Sequence, residues 1–332
     1  MDKSRQNESA AIVFHMPDLH WEGYNLPRHR DPAQPWVLMT YESANSLRQR
    51  SHYKAAILPR PRRVTNSCVL QGRYPRFTGL QLRGVMNRTM TLREDSDIVA
   101  RHGRVEARTQ PRTEAELEAA FSQQPRRPGA DFFPSGGNTS SPGKLPAPVV
   151  WFVSHCNDFN GRFKYVQWLQ KHIGVDIFGE CGPRTCGKTR NMGRRYSLHR
   201  DPCFRMVNKN YRFYLSFENA VCRDYVTEKV FNSLQLNTIP VLLGGANYTR
   251  LLPPGSFINA GDHATPEHLA AHLHALLRDE QLFSSYFSWR PHYDILSYAS
   301  IPDNCELCEK LVSGELRHVT TRASNEGPSE GS

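Results

Sequence analysis

The sequence predicts an α/β protein with two domains, each built around a parallel β-sheet. Two observations support this prediction. In the second half of the chain, apolar segments typical of buried strands alternate with segments whose apolar residues recur at helical spacing. The length of 332 residues also fits two hydrophobic cores better than one. A stretch rich in Pro, Gly and Ser at residues 122–149 predicts the linker between the domains.

The first domain is predicted at residues 1–121. Within it, Ala10–Phe14 and Trp36–Tyr41 are short apolar runs that predict strands. Glu42 follows the second strand, and a carboxylate in the loop after a strand is a candidate catalytic group. The alternative is that Glu42 is a solvated loop residue, as most glutamates are.

The second domain is predicted at residues 150–311. It opens with the buried strand VVWFVSHC, which is followed by an amphipathic helix in GRFKYVQWLQKHIG and by another strand, VDIFG. Parallel strands need a crossover connection, usually a helix, so this alternation predicts a parallel sheet. Residues 312–332 end in RASNEGPSEGS and predict a disordered tail.

The stretch from Asn210 to Phe231 changes its periodicity from that of a strand to that of a helix. Apolar residues alternate at period two up to Phe217, and past Tyr225 they recur at helical spacing. The continuous apolar run TIPVLLGG at residues 238–245 predicts a further strand that is buried on both faces. Together these segments predict a right-handed βαβ unit.

Glu228 and Lys229 stand side by side at the predicted start of this helix, for which Asp224 or Thr227 supplies the cap. The carboxyl ends of parallel strands, next to helix N-termini, are where α/β sheets bind ligands, phosphates above all. Glu228 would accept hydrogen bonds from ribose hydroxyls, and Lys229 would supply positive charge. The alternative is that the glutamate only complements the helix dipole and the lysine is only solvated.

Cysteines and glycosylation sequons together indicate an oxidising compartment. The chain has eight cysteines, an even number that predicts a disulfide framework. Cys305 and Cys308 form a CxxC outside any strand-to-helix position, so we predict a local structural disulfide rather than a redox site. Sequons at Asn87, Asn138 and Asn247 predict N-glycosylation.

Net charge and hydropathy limit the classes of partner that the sequence predicts. The formal net charge is +10, but the arginine-rich patches do not alternate with aromatic residues, so we predict no nucleic-acid partner. No apolar run is long enough for a signal peptide or a membrane anchor. Because the cysteines and sequons indicate a lumenal protein, we expect that the targeting segment is missing from this chain. A cytosolic protein with free thiols is the alternative.

The stretch FYLSFENAVCRDYVTEKVFNSLQLNTIPVLLGG resembles the donor-binding signature of the α1,3-fucosyltransferases of glycosyltransferase family 10, whose members carry FYLxFEN…DYVTEK…PVVLG runs. The resemblance covers residues 149–310. It implies the GT-B fold, which has two Rossmann-like domains, with GDP-fucose held mainly by the C-terminal domain.

The resemblance also implies roles for individual residues. Glu228 would hold the ribose and Lys229 the diphosphate, while Asn219 and Tyr225 would line the donor pocket. In TRNMG, Arg190 resembles the family's second phosphate-binding arginine. The rival arginines for that role are Arg184, Arg194 and Arg195.

The N-terminal half resembles the family in two motifs. WVLMTYESANS is similar to the family's strand and E-S-P motif, which assigns the catalytic base to Glu42. NRTMTLREDSDI, at residues 87–98, is similar to NWTMSYRxDSDI. Two departures are Ala44, where the motif has proline, and Arg88, where it has tryptophan. The Arg/Pro-rich residues 50–76 exceed the family pattern, and we interpret them as a loop insertion or a gene-model artefact.

The implied reaction is an inverting transfer of fucose from GDP-β-L-fucose to a GlcNAc hydroxyl of a glycan. No metal is required, because Lys229, an arginine and the helix N-terminus would stabilise the departing GDP. Mn²⁺ would be at most a stimulant, and the DSD at residues 95–97 would be structural. The alternative is a catalytically impaired GDP-sugar-binding pseudoenzyme. The resemblance also implies a place in the Golgi lumen and a membrane anchor that this chain lacks.

Overall fold

The computed structural model describes residues in seven ranges, which form two compact units. Among these residues, those up to 100 and those from 305 belong to the first unit, and residues 101–297 belong to the second. The described ranges are 10–15, 34–39, 87–121, 147–156, 160–186, 201–297 and 305–316. In chain order their strands and helices are β1 (Ile12–His15), β2 (Trp36–Met39), β3 (Arg88–Thr91), β4 (Ile98–Val99), β5 (Gly103–Ala107), α1 (Glu114–Phe121), β6 (Val149–Phe152), α2 (Arg162–Leu169), β7 (Val175–Phe178), α3 (Pro202–Asn210), β8 (Phe213–Phe217), α4 (Glu228–Leu234), β9 (Ile239–Leu243), α5 (Tyr248–Leu251), β10 (Ile258–Asn259), α6 (Pro266–Arg278), α7 (Glu280–Ser285), β11 (Tyr293–Ser297) and α8 (Cys305–Val312).

The first unit contains a parallel sheet of four strands in the order β1-β2-β3-β4. Its core includes Val37, Met90 and Ile98, all almost fully buried, and α8 contributes Leu307 to the same cluster. This helix packs beside β4, and Lys310 donates a hydrogen bond to the carbonyl of Asp97 at 2.6 Å. The unit therefore joins strands from the start of the described chain to its last helix.

The second unit contains a parallel sheet of five strands in the order β10-β9-β8-β6-β7. Its central strands are buried on both faces, since Val149 and Trp151 belong to one apolar cluster and Val150 to another. Helix α4 covers one face with Val230 and Leu234, which are buried. The predictions of an α/β fold, of a parallel sheet in each half and of the strand-to-helix change before Glu228 are confirmed.

The division into units differs from the predicted domain boundaries at residues 121 and 311. Strand β5 pairs antiparallel with β11, with Gly103 opposite Ser297 and Ala107 opposite Tyr293, so β5 and α1 belong to the second unit. Helix α8 belongs to the first unit. Both differences arise from pairing between segments that are distant in sequence, which local patterns do not reveal.

The disulfide framework is confirmed, but one predicted bridge is wrong. Cys156 bonds to Cys181 and Cys186 bonds to Cys203. Cys305 and Cys308, by contrast, are exposed free thiols. They lie three residues apart in α8, where Cβ atoms are about 5–6 Å apart, whereas a disulfide needs about 3.5–4.5 Å. A disulfide between them would therefore require the first turn of α8 to tighten.

The predicted glycosylation sites differ in accessibility. The amide nitrogen of Asn87 is buried, and its Oδ1 accepts a hydrogen bond from the Trp36 N–H at 2.7 Å. Asn87 therefore offers a glycan less access than an exposed sequon does, and this site stays a prediction. Asn247 is exposed and remains a prediction. Asn138 lies outside the described residues.

None of the helices in the described ranges has the length and apolar character to span a bilayer.

Candidate functional site

The carboxyl ends of β6 and β8 mark the place where the strand order of the larger sheet reverses. The chain leaves β6 to form β7 on one side and later forms β8 on the other side. Open parallel sheets bind ligands in the crevice outside their strands' carboxyl ends at such a switch point. The residues that follow these two strands therefore form the candidate site.

Asn160 and Arg162 fix the two sides of this switch point to each other. Arg162 is buried, and its guanidinium donates to the carbonyls of Phe217 at 3.0 Å and His155 at 2.9 Å. The side-chain amide of Asn160 donates to the carbonyl of Glu218 at 2.7 Å. These backbone carbonyls are thus paired with side chains, which fixes the conformation of the chain at the carboxyl ends of β6 and β8.

Glu218, the first residue after β8, is completely buried, so its carboxylate lies inside the protein at the carboxyl edge of the sheet. Its Oε1 accepts the backbone N–H of Thr227 at 2.8 Å. The Thr227 hydroxyl lies 2.8 and 3.0 Å from the two carboxylate oxygens, and Lys229 Nζ lies 3.3 Å from Oε2. A buried carboxylate needs such partners, because burying it unpaired is very costly.

Among the described residues, Lys229 Nζ has three oxygen partners. Besides Glu218, it donates to the Thr227 hydroxyl at 2.7 Å and approaches Glu228 Oε1 at 3.5 Å. Burial alone would lower the pKa of Lys229, but the carboxylates of Glu218 and Glu228 outweigh this effect and raise it. The lysine is therefore firmly charged, and 23% of its side chain remains exposed.

Glu228, the first residue of α4, forms one cluster with Glu218, Thr227 and Lys229. It is the most exposed of the four, with 39% of its side chain accessible. Its Oε2 lies 3.5 Å from Nδ1 of His102. Burial acts to raise the pKa of Glu228, but Lys229 and then His102 outweigh it and lower the pKa to about 2. Glu228 thus presents a permanent carboxylate, an acceptor for hydroxyl groups, at the edge of the cluster.

Two glycines after β9 allow the backbone to approach this region closely. A Cβ on Gly244 would lie 2.3 Å from the Tyr248 hydroxyl and 3.4 Å from Cγ of Glu218. A Cβ on Gly245 would lie 2.6 Å from the carbonyl oxygen of Cys222. No side chain fits at Gly245, because the contact there is with backbone, and a side chain at Gly244 would require the Tyr248 hydroxyl to move.

The sequence-predicted residues fall into two groups. Asn219 follows Glu218 directly, and Tyr225 is a buried neighbour that interacts electrostatically with Lys229. Glu42 and Arg190 lie outside the described residues, as do two of the rival arginines. The third rival, Arg184, pairs with Asp176 at 3.0 Å beside β7.

Sequence reasoning missed Glu218 and Thr227 as members of the cluster and His102 as the neighbour of Glu228. Glu218 gave a usable signal, because a carboxylate that directly follows an apolar strand lies at the carboxyl edge of the sheet. Thr227 was considered only as a helix cap, yet its side chain bonds to Glu218 instead of the helix. His102 is more than a hundred residues away in sequence and gave no signal.

The DSD segment of the first unit makes internal contacts. Asp97 Oδ2 accepts the N–H of Thr89 at 2.8 Å and its hydroxyl at 3.0 Å, and Asp95 pairs with Arg93. Arg88, which replaces the expected tryptophan, is buried and lies 3.9 Å from Asp97. These contacts agree with the structural role expected for this segment.

A parallel sheet with a charged lysine and a permanent carboxylate at its switch point is an arrangement suited to a ligand that carries both anionic groups and hydroxyls. The chain belongs to glycosyltransferase family 10, as its sequence resemblance predicted. The family model described as glycosyltransferase family 10 (fucosyltransferase) C-term matches residues 143–325. The model described as fucosyltransferase, N-terminal matches residues 1–103.

Known proteins are similar to most of the chain. Alpha-(1,3)-fucosyltransferase C of Drosophila melanogaster is 39% identical over 93% of this chain, which spans 62% of that protein's length. The 4-galactosyl-N-acetylglucosaminide 3-alpha-L-fucosyltransferase FUT5 of Gorilla gorilla gorilla is 30% identical over 95% of this chain and 68% of its own length. A crystal structure of an alpha1,3-fucosyltransferase with GDP-fucose matches with a TM-score of 0.45 and 14% identity, over 88% of this chain and 77% of that chain.

Proposed function

We propose that this protein is a fucosyltransferase that moves fucose from GDP-fucose to a glycan hydroxyl. One observation carries the proposal: a charged, partly exposed lysine and a permanently ionised glutamate lie together at the switch point of the larger sheet. Lys229 can meet the diphosphate, and Glu228 can accept hydrogen bonds from the ribose. Family membership and the names of the relatives support the same donor.

The transfer is proposed to invert the anomeric configuration and to form an α1,3 linkage. Lys229 would stabilise the negative charge that develops on the departing GDP, and this electrostatic contribution needs no metal, although Mn²⁺ could stimulate it. Glu42 is proposed as the general base on sequence grounds, and such a base contributes a factor of roughly 10²–10⁴ in rate.

The acceptor is proposed to be a GlcNAc unit of a glycoprotein or oligosaccharide, an acceptor that the name of the gorilla relative suggests for that enzyme. The protein is proposed to act in the Golgi lumen and to be anchored to the membrane. The disulfides between Cys156 and Cys181 and between Cys186 and Cys203 support an oxidising compartment.

A transfer assay tests the proposal. The protein is incubated with GDP-fucose and a panel of N-acetyllactosamine and N-glycan-core acceptors, and mass spectrometry detects the addition of one deoxyhexose. Lys229→Ala should weaken GDP binding, whereas Glu42→Gln should abolish transfer with GDP binding retained. Lys209→Ala, in the last turn of α3, is the matched lysine control and should change neither property.

The result also decides between the enzyme and the pseudoenzyme. Product on one acceptor class would establish the enzyme and its substrate. GDP binding without transfer to any acceptor would support a pseudoenzyme whose N-terminal motifs have lost catalysis. Absence of GDP binding would overturn the proposed function altogether.

A further inference from the structure

Glu218 has a burial and charge that the proposed donor contacts do not explain. It is completely buried, whereas the residues proposed to touch the donor, Glu228 and Lys229, are partly exposed. It therefore does not present its carboxylate to a ligand. In the part of the chain that the structure describes, the contacts of that carboxylate run to Thr227 and Lys229.

The three oxygen partners of Lys229 are not equivalent. Glu218 and the Thr227 hydroxyl are buried, and they lie 3.3 and 2.7 Å from Nζ. The Glu228 oxygen lies 3.5 Å away, at the limit of a hydrogen bond, on a half-exposed side chain. A phosphate oxygen can replace the Glu228 contact most easily, while loss of Lys229 from Glu218 would leave a buried charge without a counter-ion.

We propose that Glu218, together with Thr227, is a positioning residue that holds Lys229 in place and charged, so that a diphosphate exchanges only with Glu228. The exchange frees the Glu228 carboxylate, which stays beside His102, to accept hydroxyl groups. This inference rests on the proposed function, since it specifies how the GDP site is prepared. In this arrangement Lys229 keeps its position when the donor binds, because the diphosphate meets a cation that is already in place.

The arrangement has a consequence for pH. Burial acts to lower the pKa of Lys229, and the Glu218 carboxylate is the group that raises this pKa most. Among the described residues, the other groups that act on Lys229 or its partners are Glu228, Tyr225, Arg162, Tyr214, Tyr248 and His102. Removal of the Glu218 charge should therefore let Lys229 lose its proton within the range of a binding experiment.

Glu218→Gln tests the inference because it keeps the shape and removes the charge. The Kd for GDP is measured by calorimetry between pH 7 and 10 for the unmodified protein, Glu218→Gln and the matched control Asp97→Asn. We expect the GDP affinity of Glu218→Gln to fall relative to that of the unmodified protein as the pH rises towards 10, because burial then opposes the charge of Lys229 with one carboxylate fewer to offset it. Asp97→Asn should follow the unmodified protein, since the titration of GDP itself is common to all.

Thr227 provides a second test that leaves both charges in place. Thr227→Val removes the hydroxyl between Glu218 and Lys229, and we expect GDP to bind about fivefold to tenfold more weakly. Thr227→Ser keeps the hydroxyl and should bind GDP as the unmodified protein does. Thermal unfolding shows whether each variant is folded. If Glu218→Gln does not fold, the comparison of Thr227→Val with Thr227→Ser decides the test.

The outcomes separate this inference from the function on which it rests. If the unmodified protein does not bind GDP, the proposed function fails. If it binds GDP and Glu218→Gln shows an unchanged pH profile, Glu218 does not position a charged Lys229 and the inference is overturned. Equal GDP affinity of Thr227→Val and Thr227→Ser would likewise contradict the part assigned to Thr227.

Discussion

Two carboxylates, one in each unit, meet the same kinds of partner in different surroundings. Glu218 accepts the N–H and hydroxyl of Thr227 and pairs with Lys229. Asp97 accepts the N–H and hydroxyl of Thr89 and lies near Arg88. The side chain of Glu218 is 0% exposed and that of Asp97 is 37% exposed.

The difference shows that burial, more than the choice of partners, sets the importance of such a group. Water can replace any partner that Asp97 loses, so its contacts mainly shape the turn between β3 and β4. Water cannot reach Glu218, so its partners are obligatory and the lysine beside it is held firmly. One contact pattern thus serves a local turn in the first unit and a charged site in the second.

The largest expected effect follows from removing each carboxylate. Glu218→Ala should lower the free energy of unfolding by about 3 kcal/mol, because a buried ion pair loses one partner. Asp97→Ala should cost about 1 kcal/mol or less, as for an exposed pair. Urea unfolding followed by tryptophan fluorescence measures both values. Equal losses would show that burial does not distinguish the two groups.

Removal of the threonine hydroxyls should give a smaller contrast. Thr227→Val leaves the buried Glu218 carboxylate with one donor fewer, which should cost about 1–3 kcal/mol of unfolding free energy. Thr89→Val should cost about 0.5–1 kcal/mol, since water can bond to Asp97 in its place. The same denaturation experiment applies, and a greater loss for Thr89→Val would contradict the comparison.

Glu228, which is partly exposed, should give the smallest effect, and this effect should disappear in acid. Its pKa is lowered from 4.5 to about 2, so ionised Glu228 stabilises the folded protein fully above pH 4.5. This contribution should be lost as the pH falls from 4.5 through about 2. Over that range Glu228→Gln should lose less stability than the unmodified protein, which acid titration of the melting temperature measures. Parallel curves would show that the Lys229 and His102 contacts do not act on Glu228.

Much of the larger sheet could be predicted because its signals are local. The alternation up to Phe217 and the helical spacing past Tyr225 each reflect burial of one element against its neighbours. Thr265 and Pro266 likewise predict the start of a helix, and the Thr265 side chain caps α6 by accepting the His268 N–H. Patterns of this kind extend over a few residues, so they can be recognised without knowledge of the rest of the chain.

The sequence by itself determined the α/β class, the family and the position of Glu228 and Lys229 at the start of a helix after a strand. Only the tertiary structure decided that β5 pairs with β11, that Cys305 and Cys308 stay unbonded in α8, and that His102 lies beside Glu228. It also decided that Glu218 is the buried partner of the lysine. The physical reason is that burial, charge pairing and bonding between distant segments depend on which surfaces meet, and a linear pattern does not contain that information.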